Sequence, residues 1–401
     1  MDARPATLKR TLSLSAMVFY GLGTIVGAGI YVLIGEIAGY AGSWAPLSFL
    51  VAALIASFTG LSYAELVGRY PRSAGEAVYV QEAFKQRWLS QLMGWAVVLT
   101  GLVSAATLLK GFSAYYINLF GGNSALVIIV AVMSICLLAC SGVRQSVGVA
   151  VAITVIELLG LLLVVLASTD ALTVQANWQQ WQDDLIKPSW TGISAAAFLA
   201  FYAFIGFEDM VNMAEEVKDA ERVLPKAIMI AIIASTLIYL IIAIVAVVVM
   251  SPEQLAKSQA PMAAIVAQSS WFPVTLLTLI SLVAILNGAI VQLLMAPRVI
   301  YGLTASSVRL HFLASINPKT QTPLTATVVV SLFILLFALA LPLARLAQLT
   351  SAIILIIFVV VNAALLVVKQ REPYDGFKVP PYIPVLGILT SSILFVGQFF
   401  I

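Results

Sequence analysis

Eleven stretches of this chain are each apolar enough, over about 20 residues, to cross a bilayer. They fall near residues 13–36, 44–68, 89–118, 124–141, 146–169, 190–214, 226–250, 272–304, 324–341, 345–368 and 382–401. A backbone in hydrocarbon must satisfy its own N–H and C=O groups, so runs of this length are restricted to helices. Composition agrees. Of 401 residues, 62% are hydrophobic and 10% charged, whereas a soluble domain carries roughly a quarter charged. The expected class is an all-α polytopic membrane protein with about 11 transmembrane helices.

The charges orient these spans. With the N-terminus in the cytoplasm, all of the 21 Lys and Arg except Lys110, Lys187, Lys257 and Arg345 fall on inside segments or inner helix ends. That asymmetry is the positive-inside pattern of a multi-pass protein of the cytoplasmic membrane. Residues 1–12 are a polar, basic cytoplasmic segment, and the run that follows is too long for a leader and is read as a retained span. The net charge of +3 gives no expectation of a nucleic-acid partner. Two connections exceed a turn: residues 72–87 read as a short amphipathic cytoplasmic helix and residues 251–270 as an external cover helix, with an inert linker as the alternative for each.

Several chemistries find no support in the residues. Cys136 and Cys140 share one face of an apolar run, where packing is the ordinary role, and His311 is the single histidine. No metal site, cofactor or catalytic residue is expected, and nothing suggests the nucleophile–base pair of a membrane enzyme. A repeated selectivity-filter signature, as in channels, is also missing.

The first span carries an internal weakness, "GTIVGAG", Gly23 to Gly29. Glycine lowers helix stability, and three within seven positions invite the backbone to unwind. An interrupted helix survives in a membrane only beside protein or a polar cavity. Its second half, starting near Gly29, would aim free N–H groups and a positive dipole end at mid-membrane, where they suit a carboxylate. The sixth span has Gly206 at its centre, followed by Glu208 and Asp209. Acids at that depth are costly and belong against a wet or protein-lined interior. Tight helix packing is the alternative use of such glycines. Breaks in the first and sixth spans fit two five-span units of opposite orientation, residues 13–169 and 190–368, with 382–401 outside them.

The residues also resemble a known family. "GLGTIVGAGIYVLIGEIAGYAG", Gly21 to Gly42, is similar to the first-span signature of the amino acid–polyamine–organocation (APC) transporters. "FSAYYINLF", "FYAFIGFEDMVNMAEEVKDAERVLPKAI" and "PRVIYGLTASSVRLHFLASINPKTQTPLTAT" resemble its third, sixth and eighth-to-ninth segments. The resemblance implies a LeuT-like five-plus-five inverted repeat with discontinuous helices 1 and 6. It further implies alternating-access transport of amino acids, with polyamines or other organic amines as the alternative substrates. By the same resemblance, the substrate carboxylate meets Ile25, Val26, Gly27, Ala28 and Gly29, and the amine meets carbonyls around Ala203, Phe204 and Gly206. An aromatic lid is drawn from Phe201, Tyr202 or Phe204. The family commonly has twelve spans, against the eleven counted here.

Coupling is less determined. Proton-dependent relatives place a lysine in the fifth span where Glu157 stands here. Glu157 is either a proton carrier, which would make H+ a partner, or a structural acid bonded to a neighbouring helix. Glu208 either titrates during transport, contacts a cationic part of the substrate, or caps the inner half-helix. Asn287 and Gln292 in the eighth span, and more weakly Thr107 in the third, either line the pathway or bond between helices. Metal-ion carriers of the same fold bear Asp, Asn, Met or His at the breaks, and the first break has none of these.

Overall fold

A computed structural model describes residues 10–27, 29–72, 75–140, 147–185, 188–304, 311–315, 317 and 322–398. Ala28, and among the basic residues used for orientation Arg4, Lys9, Arg144, Lys187, Arg309 and Lys319, lie outside them. The described residues are helical almost throughout, and their β geometry is limited to one isolated bridge between Leu12 and Val217. The protein is an all-α polytopic membrane protein. By length and composition, five helical stretches suffice to cross a bilayer, and five shorter apolar helices accompany them.

The first apolar run holds α1 (Leu14–Val26) and α2 (Gly29–Ala41), followed by α3 (Ala45–Arg69). The run 72–87 contains α4 (Gly75–Phe84), a buried element whose Glu76, Tyr79 and Val80 face protein. Next come α5 (Arg87–Phe120), α6 (Ser124–Cys140) and α7 (Val147–Ala167). Two short polar-flank helices follow, α8 (Thr169–Thr173) and α9 (Gln175–Asp184). The sixth run begins with α10 (Trp190–Tyr202), and beyond it lies α11 (Ala220–Val249). Run 251–270 is two short helices, α12 (Pro252–Lys257) and α13 (Pro261–Val266), each with proline in its first turn where no intrahelical N–H is lost. The remainder is α14 (Val274–Thr304), α15 (Leu324–Ala340), α16 (Leu343–Arg371) and α17 (Tyr382–Gly397).

Both interrupted runs start alike. The Ser13 hydroxyl accepts from the Ala16 N–H at the head of α1, and that of Ser189 accepts from the Gly192 N–H at the head of α10. These serines satisfy one orphan donor each at a helix start. The two runs share a core: α1 packs on α7 and α11, α2 on α10 and α12, and α3 on α10 and α11.

Packing closes the molecule at both ends of α1 and α2. Beside α2, the Met262 N–H of α13 donates to the Tyr115 hydroxyl, which donates to the Tyr31 carbonyl of α2 at 2.7 Å. A Cβ on Gly35 would lie 2.5 Å from the Leu255 carbonyl oxygen of α12 and 2.9 Å from Pro261 Cγ of α13, so α2 meets the backbone of α12 and the Pro261 ring directly. Ahead of α1, Thr11 N–H donates to the Glu216 carbonyl at 2.8 Å and Lys218 N–H to the Leu12 carbonyl at 3.0 Å.

Candidate binding site between two interrupted helices

Regular α-helix stops at Val26 and resumes at Gly29, with Gly27 at φ −24°, ψ −91° between them. Helix α10 stops at Tyr202, residues 203–207 form turns, and a tighter 3-10 helix spans Glu208–Glu216. The sixth run, 190–214, is expected to be interrupted near Gly206, but not to change its winding: after the break it winds three residues per turn, which changes where consecutive side chains point.

The two interruptions touch. A Cβ on Gly29 would sit 2.6 Å from Ala203 Cα and 2.8 Å from Ala203 Cβ, so only hydrogen fits there. Gly206 adopts φ +132°, a conformation that L side chains rarely reach, and lies against the Thr24 backbone. Beside this contact is a cavity of about 50 Å³, lined by Ile25, Gly27 and Gly29 and by Tyr202, Asp209, Asn287 and Gln292 among others. That volume holds only a few water-sized groups, so a larger occupant requires the walls to move apart.

Residues 10–401 match the family model described as amino acid permease. The chain belongs to the amino acid permease family. The permease, a member of the APC superfamily, is 29% identical over 417 residues to the branched-chain amino acid permease BcaP of Bacillus subtilis (strain 168), covering 96% of this chain and 87% of BcaP. It is 26% identical over 394 residues to a protein named cationic amino acid transporter 4, vacuolar, from Arabidopsis thaliana, covering 93% and 65% of the two chains. Identity to the Arabidopsis thaliana cationic amino acid transporter 3, mitochondrial, is 26% over 395 residues, covering 93% and 64%. The permease spans just under two thirds of the length of these plant relatives.

The residues singled out in the sequence do not all reach the cavity. Ile25, Gly27 and Gly29 do, Val26 is buried away from it, and Ala28 lies outside the described residues. Ala203 abuts Gly29, and Phe204 packs edge-on against Tyr239 with centroids 5.0 Å apart. The Gly206 carbonyl accepts from the Thr24 hydroxyl at 3.0 Å. Tyr202 lines the cavity with its hydroxyl 3.0 Å from Ser104 Oγ, whereas Phe201 is buried against Phe358, centroids 5.7 Å apart. Thr107 donates to the Val103 carbonyl of its own helix.

Two neighbouring acids divide between separate tasks. Glu208 Oε2 accepts from the Gly206 N–H at 2.8 Å, satisfying a donor released by the break. Asp209 lines the cavity, where its Oδ2 lies 3.4 Å from Gln292 Nε2. Asp209 is the one acid among the lining residues, which include no Lys, Arg or His. Glu157 stands just behind the wall, fully buried, with Oε1 3.5 Å from Asn287 Nδ2 and no hydrogen-bond partner for Oε2 among the described residues. Thr24, Ser104, Thr154 and Gly288 complete polar or small parts of the wall that sequence reading did not nominate. They are isolated hydroxyls and a glycine inside apolar runs, and their spacing alone does not distinguish them from packing residues.

Proposed function

We propose that the permease is a secondary active transporter that carries amino acids across the cytoplasmic membrane by alternating access, with its N-terminus inside. The observation that carries this reading is the contact of two interrupted helices, Gly29 on Ala203 and Gly206 on Thr24, beside a small cavity. Half-helix ends offer N–H groups on the α2 side and carbonyls on the residue 203–206 side, a pairing suited to a zwitterion. Residues 13–169 and 190–368 are proposed to form two inverted five-span units of a LeuT-like fold, which puts the breaks at matching depths. Relatives named as carriers of branched-chain and of cationic amino acids favour an amino acid over other organic solutes.

Uptake of radiolabelled amino acids into proteoliposomes tests the proposal. A Cβ on Gly27 would already lie 2.8 Å from the Gly23 carbonyl oxygen, so Gly27→Leu both strains the break and fills the cavity. Saturable uptake by the wild type, abolished in a folded Gly27→Leu variant, supports the site. Unchanged uptake by that variant refutes it.

A second reading, a substrate carrying an additional positive charge, rests on Asp209. A carboxylate in a cavity without basic lining residues attracts a cationic side chain or a polyamine. A thermal-shift series over neutral amino acids, cationic amino acids and polyamines separates the two, because a ligand that binds the fold stabilises it.

A further inference from the structure

Tyr239 of α11 is fully buried, and its hydroxyl lies 2.6 Å from the Ile25 carbonyl and 2.7 Å from the Ala203 carbonyl. Each carbonyl belongs to a different interrupted run. Ile25 is the last residue but one of α1, and Ala203 directly follows α10. Because the chain turns after both, neither carbonyl has the usual N–H four residues ahead to accept from. Unpaired carbonyls in a dry interior are expensive, and one side chain from a third helix serves both.

The ring is held firmly enough to set that position. Phe204 packs edge-on against it at 5.0 Å and Phe49 of α3 lies tilted at 5.6 Å. A phenol has a single hydrogen to donate, so at any instant one of the two carbonyls receives it and the other only approaches the oxygen. The bond can therefore pass between the two breaks without movement of the ring.

We propose that Tyr239 is a positioning residue that clips the two interrupted helices to α11, so that the breaks rearrange together rather than separately. The proposal rests on the transport reading for its consequence in flux, but the clip itself can be measured without any substrate. Tyr239→Phe keeps the ring packing and removes the hydroxyl. Loss of a shared buried hydrogen bond should accelerate amide exchange about tenfold in both segments, residues 24–27 and 203–207. Maximal uptake should fall by about the same factor, with the half-saturating concentration changed less than about threefold, because Tyr239 itself does not line the cavity and the clip acts on the motion of the breaks.

The control is Phe49→Leu, which loosens the ring and retains the hydroxyl. It should leave exchange in the two segments near the wild-type rate. Exchange unchanged in Tyr239→Phe, raised in only one segment, or raised equally by Phe49→Leu overturns the clip. A loss of uptake carried wholly by the half-saturating concentration overturns it as well. Absence of flux in the wild type would refute the transport reading and leave the exchange result to stand separately.

Discussion

Gly206 and Thr24 hold one another across the two interrupted helices. The Thr24 hydroxyl donates to the Gly206 carbonyl at 3.0 Å, and a Cβ on Gly206 would lie 2.6 Å from the Thr24 carbonyl carbon and 3.0 Å from Ile25 N. The obstruction is backbone, which has little room to yield. Gly206→Ala also forces a side chain into φ +132°, a conformation costing about 1–3 kcal/mol. The variant is expected to melt several degrees lower in detergent and to lose uptake. Thr24→Val removes the hydroxyl, whose one hydrogen is shared between the Gly206 and Gly21 carbonyls at 3.0 Å each, and should cost about 1 kcal/mol. Equal melting of Gly206→Ala and wild type would mean that the contact is not tight in solution.

In the last turns of α3, Glu65 is fully buried and holds the α16–α17 connection. Its Oε1 accepts from Arg69 Nε at 3.0 Å and Lys369 Nζ at 2.8 Å, and its Oε2 accepts from Val379 N–H at 2.8 Å. Lys369 Nζ also donates to the Val379 carbonyl at 2.6 Å. Neutralising one member of a buried charge cluster leaves the partners uncompensated, at about 3–5 kcal/mol. Glu65→Gln should therefore unfold at markedly lower temperature and expose residues 372–381 to proteolysis. Glu82→Gln, which breaks an exposed pairing with Lys85, should change stability by less than about 1 kcal/mol.

The contrast between these two sites and Tyr239 marks how far the sequence could be read. Eleven apolar runs, the glycines at 23, 27, 29 and 206, and the basic residues all follow from local composition, which the membrane converts directly into helices and orientation. Tyr239 sits in "STLIYLIIAIV" and looks like any aromatic in a span, because its partners lie 214 and 36 residues away in sequence. Adjacent acids at 208 and 209 were equally hard to separate. Which one meets the cavity depends on the local winding, and an α-helical expectation gives the wrong rotation when the segment winds as a 3-10 helix.

Glu76 should impose a pH dependence on stability. It lies in α4, outside the spans, and burial pushes its carboxyl from 4.5 up to about 7, against the opposing effect of hydrogen bonds from its own backbone region and from the Tyr63 hydroxyl. The nearby Asp209 charge pushes it further in the same direction, and Glu208 and Tyr79 also feel its charge. An acid whose folded value is raised binds its proton more tightly when folded, so stability is complete below pH 4.5 and declines as pH rises toward about 7. The decline amounts to at most about 3 kcal/mol. Glu76→Gln is expected to remove that slope and to melt higher than wild type at pH 8. Parallel pH–melting curves for the two proteins would exclude this origin.

Asp209 should set substrate preference if the cavity receives a cationic group. Asp209→Asn keeps the size of the side chain and a hydrogen-bonding contact for Gln292, and removes the charge. Under the cationic reading, competition by lysine or arginine against a labelled neutral amino acid weakens about tenfold or more, as a charge-assisted hydrogen bond is lost. Under the neutral reading, both classes respond alike. The ratio of inhibition constants measures this independently of expression level.

Glu157 supplies the last test, because its two oxygens are so differently provided for. Oε1 has the Asn287 amide at 3.5 Å, and Oε2 is buried without a hydrogen-bond partner among the described residues. A buried carboxylate oxygen without a partner is costly, and a proton on the side chain would change what the wall presents to the first break. If that proton travels with the substrate, an inward-directed pH gradient alone drives accumulation in proteoliposomes. Glu157→Gln would then abolish gradient-driven accumulation while sparing exchange of internal for external amino acid. If Glu157 is structural, the same variant lowers the melting temperature and depresses both modes together. Net uptake and counterflow, measured on one preparation across a pH series, separate these outcomes, since only a coupling role makes the two modes diverge.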